Sequence, residues 1–464
     1  MKGYNARYVW MISAVAALGG LLFGYDWVVI GGAKPFYERC FQLNTEHLVG
    51  WANSCALLGC LLGSIAAGVL SQRLGRKKLL ILAAFLFAIS SVLTGWAPVF
   101  TWFVVWRIVG GVAIGIASNV SPMYIAEISP AAWRGRLVSL NQLTIVVGIL
   151  GAQIVNWLIA QPVPDSATDQ MIRDSWNGQL GWRWMFTAVA VPSVIFFVSA
   201  FFVPESPRWL VENNRSQEAL GVLTRVNGSA AAANELRQIE ETVAEETGTL
   251  RELLQPGLRR AFWIAVSLAI LQQITGINTV LFYGSIIFKE HVAHQSDTSA
   301  VFANVVVGVV NFLATLVALG LIDKLGRRPL LMISTAAMAA CQAALGIAFL
   351  LNPPPAMLVL GIMLCCVAAF AVGLGPGFWV LLSEIFPTRI RGRAMSIATI
   401  CLWIACTALT MTFLSLVKAV SAAGAFLVYS GMCAVAFVIV WRFVPETKGR
   451  SLEEIERSWV VQSR

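Results

Sequence analysis

Glu127-Ile128-Ser129-Pro130-Ala131-Ala132-Trp133-Arg134-Gly135-Arg136 recurs later in the chain as Glu384-Ile385-Phe386-Pro387-Thr388-Arg389-Ile390-Arg391-Gly392-Arg393. Two shorter pairs repeat in the same order. Leu74-Gly75-Arg76-Lys77 returns as Leu325-Gly326-Arg327-Arg328, and Pro204-Glu205-Ser206 returns as Pro445-Glu446-Thr447. Each pair is separated by about 250 residues. Three matches in one order imply a chain of two like halves, and in a membrane such halves are related by an axis along the bilayer normal.

The material around the repeats is apolar. Of 464 residues, 58% are hydrophobic and 12% charged, against about 25% charged in an ordinary soluble domain. The mean hydropathy is +0.75, so lipid is the solvent for most side chains. A membrane-spanning helix needs about 20 mostly apolar residues. Twelve such runs are predicted, near 8–32, 47–70, 79–96, 101–125, 137–160, 183–203, 260–289, 299–322, 330–351, 357–383, 394–417 and 424–444. The expected fold is all-α, with twelve transmembrane helices in two six-helix bundles. The expected domains are an N-terminal bundle (1–203), a cytoplasmic helical linker (204–259), a C-terminal bundle (260–444) and a cytoplasmic tail helix (445–464). The linker is rich in Glu, Arg, Gln and Ala and favours short solvated helices. In the tail, Ser451 and Glu454 form a capping-box pattern.

Net charge is +9, but the basic residues sit in short loops between apolar runs. Arg73, Arg76, Lys77 and Lys78 follow the second run, Arg134 and Arg136 the fourth, Lys324, Arg327 and Arg328 the eighth, and Arg389, Arg391 and Arg393 the tenth. Alternate loops are neutral or acidic, as at Asp165, Asp169 and Asp174. The positive-inside rule places both termini in the cytoplasm, and no nucleic-acid partner is expected. Met1 to Arg7 is short and basic and leads into a Gly-rich run too long for a cleaved signal. The nine cysteines form no CxxC pair and read as small packing residues. No nucleophile–base set, metal-ligand cluster or phosphate loop is visible. His47, His291 and His294, the three histidines, fall near span ends on the outer side. Nothing points to an enzyme.

Polar and helix-loosening residues concentrate in every third span. The first carries Gly19, Gly20, Gly24 and Asp26; the fourth Arg107, Gly110, Gly111, Gly115 and Asn119; the seventh Gln272, Gln273, Gly276 and Asn278; the tenth Gly373, Gly375, Pro376, Gly377 and Trp379. Loosened backbone at membrane depth is tolerated where it is buried or lines a cavity, so these spans are expected to surround a shared cavity. The glycines alone fit close helix packing equally well.

Asp26 lies six residues before the predicted end of the first span, and Arg107 six residues after the predicted start of the oppositely directed fourth. At 1.5 Å per residue both sit about 9 Å below the same boundary, so the two are expected to pair. An ionisable residue inside a membrane is a functional-site hypothesis by default. Arg107 favours the charged carboxylate, and losing that contact would favour protonation. The alternative is a permanent buried salt bridge. Gln142, Gln272, Gln273, Asn278 and Asn311 supply neutral donors and acceptors, and Trp379 and Trp403 supply flat apolar faces. Together they suit a ring with many hydroxyls. Glu127, Arg134, Glu205, Arg208, Glu384 and Arg391 form candidate cytoplasmic ion pairs. Glu127 is expected to face Arg134 and Arg136, and Glu384 to face Arg391 and Arg393, biasing how the halves pack.

These motifs resemble the sugar porter family of the major facilitator superfamily. The resemblance is carried by Leu74-Gly75-Arg76-Lys77, Arg107-Ile108-Val109-Gly110-Gly111, Pro204-Glu205-Ser206-Pro207-Arg208-Trp209-Leu210, Gln272-Gln273-Ile274-Thr275-Gly276-Ile277-Asn278, Asp323-Lys324-Leu325-Gly326-Arg327-Arg328 and Pro445-Glu446-Thr447-Lys448-Gly449, and covers nearly the whole chain. It implies alternating access with a monosaccharide at the midplane. It implies sugar contacts at Gln142, Gln272, Gln273, Asn278, Asn311, Trp379 and Trp403, and proton coupling at Asp26 with Arg107 as partner. Animal glucose uniporters usually lack this aspartate, so the resemblance favours a bacterial proton symporter of the inner membrane. The proton is then the coupling ion, no other cofactor is expected, and the protein is expected to be a monomer in the bilayer. Three positions depart from the family pattern. Leu402 stands where Gln or Asn usually precedes the tryptophan, Cys406 where a polar residue sometimes follows it, and Gln72 where the superfamily often has Asp. The first two remove one expected hydroxyl contact, which weakens the transfer of any specific sugar and favours a pentose or a deoxy-sugar; the wider expectation is a pentose or hexose. A sugar uniporter, a polyol (inositol-like) symporter and a membrane sugar sensor remain as alternatives.

Overall fold

A computed structural model of the chain describes residues 5–130, 133–164, 167–245, 253–255, 258–279, 297–351, 355–386 and 388–448. Of the tail helix expected over 445–464, residues 445–448 are described and are not helical; the rest of it, the far part of the seventh span and His291 and His294 lie outside the described residues. Among those described, twelve helices are long and apolar enough to cross a membrane: Ala6–Cys40, His47–Leu74, Arg76–Gly95, Phe100–Ile128, Arg134–Ile159, Asn177–Ala200, Leu258–Thr279, Val301–Ile322, Arg327–Ala348, Met357–Leu382, Arg393–Phe413 and Ser415–Phe443. Pro207–Glu212, Ser216–Asn227 and Ser229–Glu245 are shorter helices between the sixth and seventh spans.

The face carrying the basic loops is called the basic face here, and the opposite one the far face. The spans present apolar side chains outward, including Val191, Ile195 and Met357, where lipid replaces water as solvent. The first and seventh spans are the most enclosed, with 67% and 72% of their central windows buried. The tenth is 39% buried, no more than the twelfth. The every-third-span pattern therefore marks the first and seventh as central more clearly than the tenth.

The first span reaches Cys40 rather than ending near Gly32. Its 35 residues are about 50 Å of helix, well beyond the roughly 30 Å hydrocarbon core. The apolar run ends where Lys34 begins the polar stretch, but the helix continues. Lys34 is fully buried and lies 3.7 Å from Glu38 one turn on, and Tyr37 packs against Phe103, Trp182 and Phe186.

Glycines bring the second and fourth spans into backbone contact. A Cβ on Gly59 would overlap the Ile108 carbonyl, and one on Gly111 would overlap that of Ala56. Gly63 and Gly115 stand in the same relation to Val112 and Cys60. Gly111 and Gly115 thus serve helix packing inside the first half, not a cavity wall.

Two spans are broken where the sequence is loosest. The seventh breaks at Thr275 and Gly276, where the Gly276 φ of +84° is one only glycine adopts freely, and is helical again from Ile277. The tenth passes through a π-helical turn at Phe370–Leu374 before continuing as Gly375–Glu384. Such turns free backbone groups for other partners. Here Leu374 N–H donates to Ser334 Oγ at 2.9 Å, and the Leu374 carbonyl accepts from Gln272 Nε2 at 3.4 Å.

Candidate transport site

Asp26 and Arg107 meet as the depth argument requires. Arg107 Nη1 lies 2.9 Å from Asp26 Oδ1, with the two side chains 4% and 6% exposed respectively. The pair is single-stranded. Asp26 Oδ2 and Arg107 Nε are buried and make no hydrogen bond, and the guanidinium lies 5.4 Å over the Phe186 ring. A bidentate arrangement would satisfy both oxygens. One carboxylate oxygen is instead left with unused acceptor capacity. Breaking one contact therefore frees this carboxylate, which is easier than undoing a fork.

On the other half, three amides form a chain. Gln272 Nε2 donates to the Leu374 carbonyl, Gln273 Nε2 donates to Gln272 Oε1 at 3.4 Å, and Asn278 Nδ2 donates to Gln273 Oε1 at 2.5 Å. Asn278 Nδ2 also reaches Cys406 Sγ at 3.4 Å. The break at Gly276 turns Asn278 back onto the preceding turn. Cys406 thus joins the array through its sulfur, and Leu402 is buried beside Trp403. Trp403 is 1% exposed, yet its indole N–H has no acceptor. It contacts the first span across the junction of the halves, at 5.5 Å from Trp27 and 5.9 Å from Phe23. Gln142 and Trp379 are half-buried, and Asn311 is buried on the eighth span. These three stand outside the bonded chain of amides.

The basic face differs from expectation. Glu127 does not face Arg134. Arg76 Nη2 binds Glu127 Oε1 at 2.8 Å, and Ser206 Oγ donates to Glu127 Oε2 at 2.5 Å. Arg134 Nε donates to the Ala126 carbonyl instead. Its charge bears on Glu235 of the linker, whose carboxyl burial pushes up and Arg134 draws back down. Glu205 caps the third span, accepting from Arg76 N–H at 2.9 Å and Lys77 N–H at 3.1 Å. Arg208 lies 3.4 Å from Glu212, which also contacts Arg76 at 3.4 Å. In the second half Arg327 Nη2 binds Glu384 Oε1 at 2.9 Å and Thr447 donates to Glu384 Oε2 at 2.6 Å. Glu446 caps the ninth span at Arg327 and Arg328, both at 3.1 Å. The Arg391 side chain lies outside the described residues.

Each of these pairs stays within one half. The reason is geometric: the glutamate of the fourth or tenth span points at the arginine that starts the third or ninth. A carboxylate from the end of each half then caps that same helix, where free N–H groups and the dipole favour a negative charge. Gly75 and Gly326, with φ of +90° and +96°, leave the room those carboxylates need. Arg76, Arg327 and Glu446 were not singled out from sequence as site residues. The three repeats contained them, but as separate matches rather than as one cluster.

A twelve-span fold of two repeated halves, a buried carboxylate–guanidinium pair and an amide-lined midplane define a sugar porter of the major facilitator type. The chain belongs to the sugar (and other) transporter family, whose model matches residues 12–459. It is 38% identical over 460 residues to the arabinose-proton symporter of Bacillus subtilis, covering 99% of this chain and 97% of that one. It is 38% identical over 492 residues to the D-xylose-proton symporter of Escherichia coli K12, covering 99% and 98%. Among solved structures, the proton:xylose symporter XylE bound to 6-bromo-6-deoxy-D-glucose superposes with a TM-score of 0.85 at 38% identity, covering 98% of this chain and 100% of that one.

Proposed function

We propose that this protein imports a monosaccharide, pentose or hexose, together with a proton by alternating access. The observation that carries the coupling is the Asp26–Arg107 pair with its unused Oδ2. A buried charge must be paired or neutralised. Separation of Arg107 from Asp26 therefore draws a proton onto the carboxylate. Gln272, Gln273 and Asn278 would exchange their mutual hydrogen bonds for sugar hydroxyls, and the free Trp403 N–H would find an acceptor. Gln142, Asn311 and Trp379 would complete the site as the halves close.

The basic face is cytoplasmic in this reading, by the distribution of Lys and Arg, with both termini inside a bacterial inner membrane. The protein works as a monomer in lipid and uses no cofactor beyond the proton. The ion-pair clusters on that face keep each half rigid while the halves rock. The test is sugar uptake in inverted and right-side-out vesicles with an imposed pH gradient. Wild-type protein concentrates sugar; Asp26→Asn equilibrates it. Concentrative uptake by Asp26→Asn would overturn the coupling role, and a uniporter would show none in either protein.

A further inference from the structure

Away from the central site, three more amides converge where the two halves touch near the far face. Gln153 and Asn156 come from the fifth span and Asn304 from the eighth, and all are at least nine-tenths buried. With Val28, Gly32 and Val301 they line one small space. Asn156 Nδ2 donates to the Val29 carbonyl at 2.9 Å, which anchors it to the first span. Its Oδ1 and Gln153 Oε1 accept nothing. Two unsatisfied buried acceptors are costly, and apolar residues of the same shape would avoid that cost. Their chemistry fits a donor that is present in only part of the cycle.

The same place is closed by side chains seated against a glycine. A Cβ on Gly308 would overlap Gln153 Oε1 and lie 3.2 Å from Leu150 Cδ1. One turn farther out, the Trp157 and Phe302 rings meet at a tilt, 5.5 Å apart, across the halves. The fifth and eighth spans therefore shut on each other here through the pair Gln153–Gly308.

We propose that Gln153, Asn156 and Asn304 form an outer subsite for a hydroxyl-bearing solute, the sugar on its way in, which exists only while the far side is open. Closure squeezes it out as Gln153 seats against Gly308. The subsite rests on the transport reading, and Gln153 and Asn156 lie farther toward the far end of the fifth span than Gln142 does. It adds an asymmetry that the central site lacks: sugar arriving from outside meets these amides first, whereas sugar leaving the cytoplasmic side does not.

The experiment uses full-length protein in liposomes of known orientation, with arabinose and xylose counterflow measured from each face. Gln153→Leu should raise the outer-face KM about five-fold, the loss of one neutral hydrogen bond, and leave the inner-face KM within about two-fold. An equal change on both faces, or none, overturns the subsite. Gly308→Ala should slow turnover by pushing the Gln153 amide out of its closed seat, and Gln153→Ala in the same protein should restore it by making room. Failure of that rescue overturns the closing contact and does not depend on the first variant folding normally. If the parent protein moves no sugar at all, it is the transport reading that falls.

Discussion

The two halves agree at the basic face and part company at the midplane. On the basic face the match runs to individual residues, although Arg327 grips Glu384 through both Nε and Nη2 while Arg76 holds Glu127 through Nη2 alone and turns Nη1 to Glu212. Arg76 with Glu127 and Ser206 corresponds to Arg327 with Glu384 and Thr447, and Glu205 corresponds to Glu446 as the carboxylate over the next helix start. At the midplane the first half holds the charges, Asp26 and Arg107, and the second holds the neutral amides and their sulfur partner. Scaffolding is what the repeat preserves, and chemistry is where the copies diverge. In the proposed reading the proton site and the hydroxyl site sit on different halves, and they exchange free energy only through the motion of one half against the other, which is what coupled transport needs.

Asp26→Asn is the largest test of this division. It should abolish accumulation against a gradient while sugar counterflow persists, since the bonded amides Gln272, Gln273 and Asn278 belong to the other half. Loss of binding as well as accumulation, read by sugar-dependent quenching of tryptophan fluorescence, would show that the halves do not divide the work this way.

The basic-face clusters offer the next comparison. The Arg76–Glu127 side chains are 5% and 12% exposed, the Arg327–Glu384 side chains 14% and 26%. Removing one partner of a buried pair leaves the other charge stranded, costing about 3–5 kcal/mol, whereas exposed pairs are worth about 0–1. Glu127→Gln should therefore lower the thermal unfolding temperature in detergent more than Glu384→Gln does. Equal shifts would mean that burial does not rank the two clusters.

Gln273 sits in the middle of the amide chain, bonded to both Gln272 and Asn278. Gln273→Ala should weaken sugar affinity about ten-fold, equivalent to about 1.4 kcal/mol, and leave the pH dependence of uptake unchanged. An altered pH profile would place it in the proton machinery instead.

Much of this arrangement was legible in the sequence because it depends on lengths and depths. Span count follows from apolar runs, and the Asp26–Arg107 pairing followed from counting rise per residue in two antiparallel helices. The partners of Glu127 and Glu384 were not legible, because nearness in sequence is a poor guide where a helix end turns its side chains toward another loop. Arg134 is seven residues from Glu127 and Arg76 is fifty-one, yet the third span's start lies against the fourth span's end. The extension of the first span to Cys40 was hidden for a related reason: Lys34 and Glu38 look like a loop by hydropathy, and only tertiary packing makes them helix.

Trp27 gives the smallest effect and the finest test of the division between halves. It follows Asp26 directly and belongs to the half with the charges, but its ring lies 5.5 Å from Trp403 of the other half, with Phe23 5.9 Å from both rings. Trp403 is the residue beside which Leu402 and Cys406 depart from the family pattern. Three aromatic rings meeting across the junction leave little room at that end of the site. Such pairs contribute about 0.5–1.5 kcal/mol beyond area burial, so Trp27→Ala should change arabinose or xylose affinity only about two- to ten-fold. The change in selectivity should be larger than the change in affinity. A hexose carries one more CH₂OH than a pentose, and removing an indole opens space of more than that size. The hexose-to-pentose ratio of KM values in counterflow should therefore fall in Trp27→Ala, with the pH profile unmoved because Asp26 keeps Arg107. An unchanged ratio would mean that the Trp27 ring takes no part in selectivity and that Trp403 acts without it.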